Sequence, residues 1–123
     1  MTSHLFAALL ILSAPAVARA MSADFPDGST PLSSDELRAR ISDKTFSVRP
    51  AAGPEWRWTL RKDGYFFIHV GHHDGGGTWK VQEGRLCSTR NGGRPGNCNE
   101  VRAKDGTLYL KRDSGEIVNL VPQ

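Results

Sequence analysis

The sequence predicts a mainly β fold, an antiparallel meander of about eight strands that forms a small barrel or a curled sheet after one short N-terminal helix. Apolar and polar residues alternate in most segments after Thr45, which is typical of strands with one buried face. Asp-Gly and Glu-Gly pairs between these segments indicate tight turns. Because turn signals recur about every ten residues, we expect neighbouring segments to pair in sequence order.

The first twenty residues have the pattern of a secretory signal peptide. An apolar run over residues 5–12 is followed by small residues and by the A-x-A cleavage signal Ala18–Ala20. This run is shorter than the ~20 apolar residues that cross a bilayer, and no later apolar segment is long enough to do so. We therefore expect a signal peptide over residues 1–20, a flexible leader over residues 21–32, and a periplasmic or secreted protein.

A single β domain with an N-terminal helix is expected over residues 33–123. The stretch LSSDELRARIS predicts the helix, with Ser33 as its N-cap and Glu36 completing a capping box. Leu37 and Ile41 lie four residues apart and share one helical face. That face is large enough to dock the helix on a sheet.

The segments after the helix have the alternation of half-buried strands. In the clearest of them Trp56, Trp58 and Leu60 lie on one face and polar residues on the other. Asp63-Gly64 and Asp105-Gly106 predict hairpin turns. A barrel of about eight strands is filled by side chains or holds one small ligand. The segments are TFSVRP, EWRWTLRKDG, YFFIHVG, GTWKVQEG, RLCSTR, NEVRA, AKDGTLYLKRDSG and EIVNLVPQ.

The two cysteines, Cys87 and Cys98, predict a structural disulfide bond. They flank a segment rich in Gly and Pro, and an exported chain folds in an oxidising compartment. Closing a loop of this size stabilises a fold by roughly 3 kcal/mol in the chain-entropy model. A redox-active pair is less favoured, because the C-x-x-C arrangement is missing.

The stretch IHVGHHDGGGTW contains every histidine after the signal peptide and leaves two interpretations open. His69, His72, His73 and Asp74 carry the ligand types of a zinc or copper site, if the chain bends sharply at Gly71. The alternative is a polar, solvent-exposed loop between two strands, with flexible glycines. The sequence favours the loop and predicts no cofactor other than this transition metal.

Nothing in the sequence indicates an enzyme. The chain has no G-x-S-x-G nucleophile motif, and its glycine run lacks the lysine and helix of a phosphate-binding loop. The formal net charge is +3, a small excess that falls by one when Arg19 is cleaved off. Together with export, this modest charge argues against a nucleic-acid partner.

Basic residues are frequent between positions 85 and 112. If they share one face, that surface could meet an anionic component of the cell envelope. The alternative is an ordinary solvated sheet face, on which Lys and Arg discourage edge pairing. The residues are Arg85, Arg90, Arg94, Arg102, Lys104, Lys111 and Arg112.

Several motifs carry a resemblance to known proteins: LSSDELRARISDKTF, DGYFF, GTWKVQEGRLC, NCNEV and DGTLYL. In these motifs the chain from about residue 32 onward resembles a family of small exported proteobacterial proteins of unknown function. The resemblance implies no catalytic residues. More loosely, the chain is similar to small periplasmic barrel-type inhibitors of metalloproteases and lysozymes. That similarity implies an enzyme inhibitor whose leader could enter a protease cleft.

The sequence therefore predicts an exported, non-enzymatic binding module of unknown ligand, with a protein or a cell-envelope component as its first expected partner. One alternative is a metal-binding protein that uses the histidine cluster. The other is a carrier of a small apolar ligand in the barrel interior, or a periplasmic enzyme inhibitor.

Overall fold

Eight antiparallel strands close into a barrel, in which each strand pairs with its sequence neighbours and β9 pairs with β2. The computed structural model describes residues 24–123, so the predicted signal peptide and residues 21–23 lie outside the described residues. The elements are β1 Thr30–Pro31, α1 Ser34–Ile41, β2 Lys44–Val48, β3 Trp56–Leu60, β4 Tyr65–Val70, β5 His73–Gln82, β6 Arg85–Arg90, β7 Arg94–Lys104, β8 Thr107–Lys111 and β9 Ile117–Pro122. The predicted antiparallel barrel is confirmed.

The hairpin turns follow from residues that accept a positive φ. Glu83 and Gly84 have φ values of 53° and 71°, and Asp105 and Gly106 have values of 50° and 82°. Two consecutive positive φ angles are the requirement of the type I′ turn, whose twist matches that of paired strands. These turns join β5 to β6 and β7 to β8, which keeps neighbouring strands in sequence order.

Alternate residues of the strands fill the barrel interior. Fully or nearly buried side chains come from α1 and from strands all around the barrel wall: Leu37, Ile41, Phe46, Val48, Trp58, Leu60, Phe66, Trp79, Val81, Leu86, Val101, Leu108, Leu110, Val118 and Leu120. Side chains rather than solvent therefore occupy most of the interior.

Helix α1 closes one end of the barrel. The Ser33 hydroxyl accepts a hydrogen bond from the Glu36 backbone N–H at 3.1 Å, so the predicted N-cap is confirmed, and the Glu36 carboxylate accepts from the Ser33 hydroxyl instead of completing the box through the Ser33 backbone N–H. Leu37 and Ile41 are fully buried. The Ser34 hydroxyl accepts from the N–H of Gly84 in the β5–β6 turn, which fixes the helix at this end.

The described part of the predicted flexible leader contacts the barrel. Thr30 and Pro31 form β1, which pairs with Ala103 and Arg102 of β7. The Arg102 guanidinium also lies 4.7 Å from the centroid of the Phe25 ring. A short strand and a cation–π contact hold this segment against the barrel, although its polar composition is typical of a free chain.

The glycine run after the histidines lies in strand β5 and is not a flexible loop, so that prediction is wrong. The connection between β4 and β5 is only Gly71-His72. A Cβ atom on Gly77 would lie 2.0 Å from the backbone oxygen of Thr89, and one on Gly76 would lie 2.9 Å from the Phe66 oxygen. Close approach of neighbouring backbones, rather than flexibility, requires glycine here.

The predicted disulfide is confirmed. Cys87 in β6 and Cys98 in β7 are directly opposite each other in the register, and their sulfur atoms are bonded. The bond therefore joins two adjacent strands of the barrel wall.

Among residues 24–123, no helix is both long enough and apolar enough to cross a membrane.

Candidate functional site

A cavity of about 390 Å³ lies at the end of the barrel opposite helix α1. In an up-and-down barrel, successive connections alternate between the two ends. The connections β3–β4, β5–β6 and β7–β8 lie at the helix end, whereas β2–β3, β4–β5, β6–β7 and β8–β9 lie at the end that holds the cavity, and residues of the β8–β9 connection line it. The open end is therefore a mouth that leads into the barrel interior.

The wall of the cavity is apolar along β3 and β4, and β8 contributes one apolar residue from across the barrel. Its residues are Trp56, Trp58, Phe66, Ile68, Val70 and Leu110. Trp58 and Phe66 meet edge to face, with ring centroids 6.2 Å apart and an interplanar angle of 87°. Such a pair is stabilising beyond its buried area, so this side of the cavity has a defined shape.

The opposite wall is polar and comes from β6, β7 and the β8–β9 turn. Ser88, Asn97 and Asn99 line it at inward-facing positions. The Asn99 amide donates to the backbone oxygen of Lys111 at 2.9 Å and to the Asp113 carboxylate at 3.1 Å. The last backbone pair of β7 and β8 at this end of the barrel is Val101 with Leu110. The Asn99 bonds continue the contact past that pair, to the end of β8 and to the β8–β9 turn.

Arg112 lies between the apolar and polar walls. Its guanidinium stands 5.0 Å from the centroid of the Trp56 ring and donates to the Glu116 carboxylate at 2.6 Å. The Ala51 backbone N–H also donates to Glu116, and the two donors together hold the pKa of this carboxyl below its ordinary value. Glu116 is therefore ionised at neutral pH and fixes Arg112 over Trp56.

The three tryptophans differ in the partners of their indole N–H groups. Trp79 Nε1 donates to the backbone oxygen of Arg61 at 2.8 Å. Trp56 Nε1 and Trp58 Nε1 are buried and have no hydrogen-bond partner among the residues that the structure describes. Buried polar groups are nearly always paired in folded proteins, so two unpaired donors beside one cavity distinguish this site from the rest of the core.

The structure brings together only two members of the predicted histidine cluster. His69 and Asp74 are cross-strand partners, and His69 Nδ1 lies 2.5 Å from an Asp74 carboxylate oxygen. His73 neighbours Asp74 in β5 and therefore lies on the other face of the sheet, while His72 is in the turn. Within residues 24–123 no group of three His, Cys, Asp or Glu side chains is close enough to hold a metal. Metal binding by this cluster stays a prediction.

The basic residues between positions 85 and 112 divide between the inside and the outside of the barrel. Arg90 and Arg112 line the cavity. Arg102 lies on the outer side, where it bonds Glu100 at 2.9 Å and covers Phe25. Arg90 and Arg112 are thus separated from Arg102, and recognition of an anionic partner by this set of residues stays a prediction.

The sequence allowed a small apolar ligand in the barrel interior but did not predict that Trp56 and Trp58 line a cavity. A usable signal was present in β6 and β7, where Ser88, Asn97 and Asn99 occupy the alternation phase of buried Leu86 and Val101. Polar residues at inward positions indicate an interior that is not filled by apolar packing.

No protein-family model, curated protein sequence or solved structure matches this chain.

Proposed function

We propose that this protein is an exported, non-enzymatic binding module that holds one small, largely apolar molecule in the open end of its barrel. The observation that carries the proposal is the cavity lined by Trp56, Trp58, Phe66 and Ile68. Ligand sites are concave and mostly apolar, with a few polar groups that orient the ligand. This description fits the wall composition.

The size of the cavity limits the ligand. Its volume of about 390 Å³ lies near the lower end of the ~300–1,000 Å³ range of small-molecule sites. Since one water occupies about 30 Å³ in the liquid, the space suits a molecule of roughly a dozen non-hydrogen atoms. Such a molecule is the size of a fused two-ring compound with one substituent.

The disulfide supports a role in an oxidising, exported compartment, the periplasm or the extracellular space. Cys87 and Cys98 are both consumed in the bond, and such bonds are rare in reducing compartments. An envelope partner has less support, because Arg90 and Arg112 line the cavity whereas Arg102 lies on the outer surface.

Thermal unfolding with 2-methylnaphthalene, an uncharged two-ring probe, tests the proposal. The probe is expected to raise the unfolding midpoint of the oxidised protein, since a ligand that binds only the folded state stabilises it. Ser88→Phe should abolish the shift, because Ser88 lines the cavity and a phenyl ring there would fill it.

The matched control is Thr89→Phe, which adds the same ring at the next residue on the exposed side of β6. This variant should keep the wild-type shift. The proposal fails if the probe leaves the wild-type midpoint unchanged, or if it shifts both phenylalanine variants equally.

A further inference from the structure

We infer that the molecule held in the barrel carries an anionic, hydrogen-bond-accepting head group, such as a carboxylate, beside its apolar body. The inference rests on the proposed function, because it assigns the chemical class of ligand to the same cavity. Its basis is the juxtaposition of two unpaired indole donors with two arginines at the barrel mouth.

The unpaired donors fix the hydrogen-bonding character of the head group. Trp56 and Trp58 both line the cavity, and Trp58 is 8% exposed. An indole N–H donates and never accepts, so only an acceptor can satisfy it. The Asn99 amide N–H in the polar wall is itself a donor and cannot accept from an indole. The Asp113 carboxylate already accepts from this amide.

The charges at the mouth fix the sign of the head group. Arg90 and Arg112 line the cavity with Asp113, and arginine stays protonated at every physiological pH. Arg112 is paired with Glu116 and Asp113 accepts from the Asn99 amide, so Arg90 is the lining guanidinium that would repel a cationic head group. A carboxylate can form charge-assisted hydrogen bonds to Arg90, which are shorter and stronger than bonds between neutral groups.

Arg112 would have to leave its contact with Glu116 before the head group could reach the Trp56 indole. Each unpaired Nε1 exposes less than 1 Å² of surface, so protein atoms cover it. The guanidinium of Arg112 lies over the Trp56 ring and is partly exposed. An anionic head group that attracts Arg112 away from Glu116 would uncover the Trp56 ring, and an oxygen of the head group would then accept from the Trp56 N–H.

Three naphthalene compounds that share one body and differ in the head group test this inference. They are 2-naphthoate, 2-methylnaphthalene and 2-naphthylmethylammonium, titrated at pH 7 by calorimetry into the oxidised protein. We expect 2-naphthoate to bind at least about tenfold more tightly than the ammonium compound, because its head group gains charge-assisted bonds and the other is repelled. The uncharged compound should lie between them.

Trp58→Phe isolates the contribution of the indole N–H, since it keeps an aromatic ring and removes the donor. The loss of affinity should be about tenfold larger for 2-naphthoate than for 2-methylnaphthalene, which loses only contact with the larger ring. Arg90→Gln should weaken 2-naphthoate in the same selective way. Trp79→Phe is the matched control and should change neither affinity, because its N–H serves the Arg61 carbonyl outside the cavity.

Equal binding of all three compounds, or tighter binding of the ammonium compound, overturns the inference and leaves the proposed function standing. A Trp58→Phe variant that weakens all three compounds equally also overturns it, because the ring rather than the donor would then act. If none of the three binds, the proposed function fails and the inference falls with it.

Discussion

Trp58 and Trp79 are each 8% exposed, yet their indole nitrogens have different surroundings. The Trp79 N–H donates to the Arg61 carbonyl, while the Trp58 N–H has no partner among the described residues. Both rings belong to the same hydrophobic core. The difference arises from position along the barrel axis, since Trp79 lies near the helix end and Trp58 lines the open end.

Replacing each of these tryptophans by phenylalanine should show how much a paired N–H contributes to the free energy of unfolding compared with an unpaired N–H. Trp79→Phe loses a hydrogen bond as well as apolar area, whereas Trp58→Phe loses only area. We expect the free energy of unfolding to fall by about 1 kcal/mol more for Trp79→Phe. Urea unfolding of both variants measures the difference. An equal loss would contradict the assignment of the two donors.

Gly75 and Gly77 occur in the same run of three glycines but have different neighbours. A Cβ on Gly77 would lie 2.0 Å from the Thr89 backbone oxygen, so the backbone of β6 would have to move. A Cβ on Gly75 would meet only the Ile68 side chain, at 3.2 Å. Side chains adapt to such contacts more easily than paired backbones do.

Alanine substitution at these two positions tests whether packing requires the glycine run. Gly77→Ala is expected to destabilise the fold by about 2 kcal/mol or more, because overpacking here displaces backbone. Gly75→Ala should change the free energy of unfolding by less than about 1 kcal/mol. Denaturant unfolding of both variants provides the measurement. Similar small effects at both positions would show that close backbone packing does not require glycine at position 77.

At the scale of elements, the β6–β7 hairpin determines the polar wall of the cavity. The disulfide is on its outer side and the inward residues Ser88 and Asn97 are on the other. At Gly96 a Cβ would lie 1.2 Å from the Ser88 oxygen, so glycine allows the two strands to approach where the register shifts. The disulfide and this glycine together hold the hairpin in one register.

Removing the disulfide should weaken this hairpin and, with it, the fold. The double variant Cys87→Ala/Cys98→Ala is expected to lower the free energy of unfolding by about 3 kcal/mol, because the unfolded chain regains the entropy of the open loop. Alanine avoids placing a hydroxyl at the buried Cys87 position. Chemical reduction of the wild-type protein is the control and should give the same loss. Unchanged stability would show that the hairpin holds without the bond.

At the scale of the whole molecule, barrel closure depends on the contact of β2 with β9. This contact has two register pairs, Phe46 with Pro122 and Ser47 with Val121. The Gln123 N–H adds a bond to the Thr45 oxygen at 2.9 Å. Neighbouring strands elsewhere in the wall pair over longer stretches. Side-chain hydrogen bonds beside the contact of β2 with β9 therefore contribute more to holding the barrel closed.

Two carboxylates lie beside this closing contact. Glu55 accepts hydrogen bonds from the Ser47 hydroxyl and from Arg49. The Ser47 bond is the largest of the causes that lower the pKa of Glu55, with the nearby Arg49 and Arg57 charges adding to it. The pKa of Glu116 is lowered first by the Ala51 backbone N–H and then by Arg112. When ionised, Glu55 holds the β2–β3 connection to Ser47 of β2. Ionised Glu116 holds the same connection, at Ala51, to the β8–β9 connection.

Acidification should therefore destabilise the protein. A group whose folded pKa is depressed contributes stability that is present above its unfolded pKa and lost as the pH falls through the folded pKa. We expect the unfolding midpoint to fall as the pH is lowered below about 4.5, the ordinary carboxyl pKa. Glu116→Gln should make the midpoint less dependent on pH in this window, as followed by thermal unfolding between pH 7 and pH 3.

Glu83→Gln provides the control for the loss of one carboxylate, since Glu83 lies in the β5–β6 turn at the far end of the barrel. This variant should keep the pH dependence of the wild type. If Glu116→Gln leaves the pH dependence of the midpoint unchanged, the ionised Glu116 carboxylate does not contribute to barrel closure.

The sequence by itself determined the features that depend on local chemistry. Alternation specified the strands, Asp-Gly and Glu-Gly pairs specified turns, the Ser33–Glu36 spacing specified the helix start, and the cysteines specified the disulfide. Each of these signals acts over a few residues, because it arises from backbone conformation, from capping or from loop closure.

Only the tertiary structure decided what depends on register and on distant neighbours. It placed the glycine run in β5, paired the leader with β7 and left Trp56 and Trp58 beside a cavity. Alternation tells which face of a strand a residue occupies, but not how deep in the barrel that face lies. The depth follows from the stagger of the strands around the closed wall, which no short stretch of sequence contains.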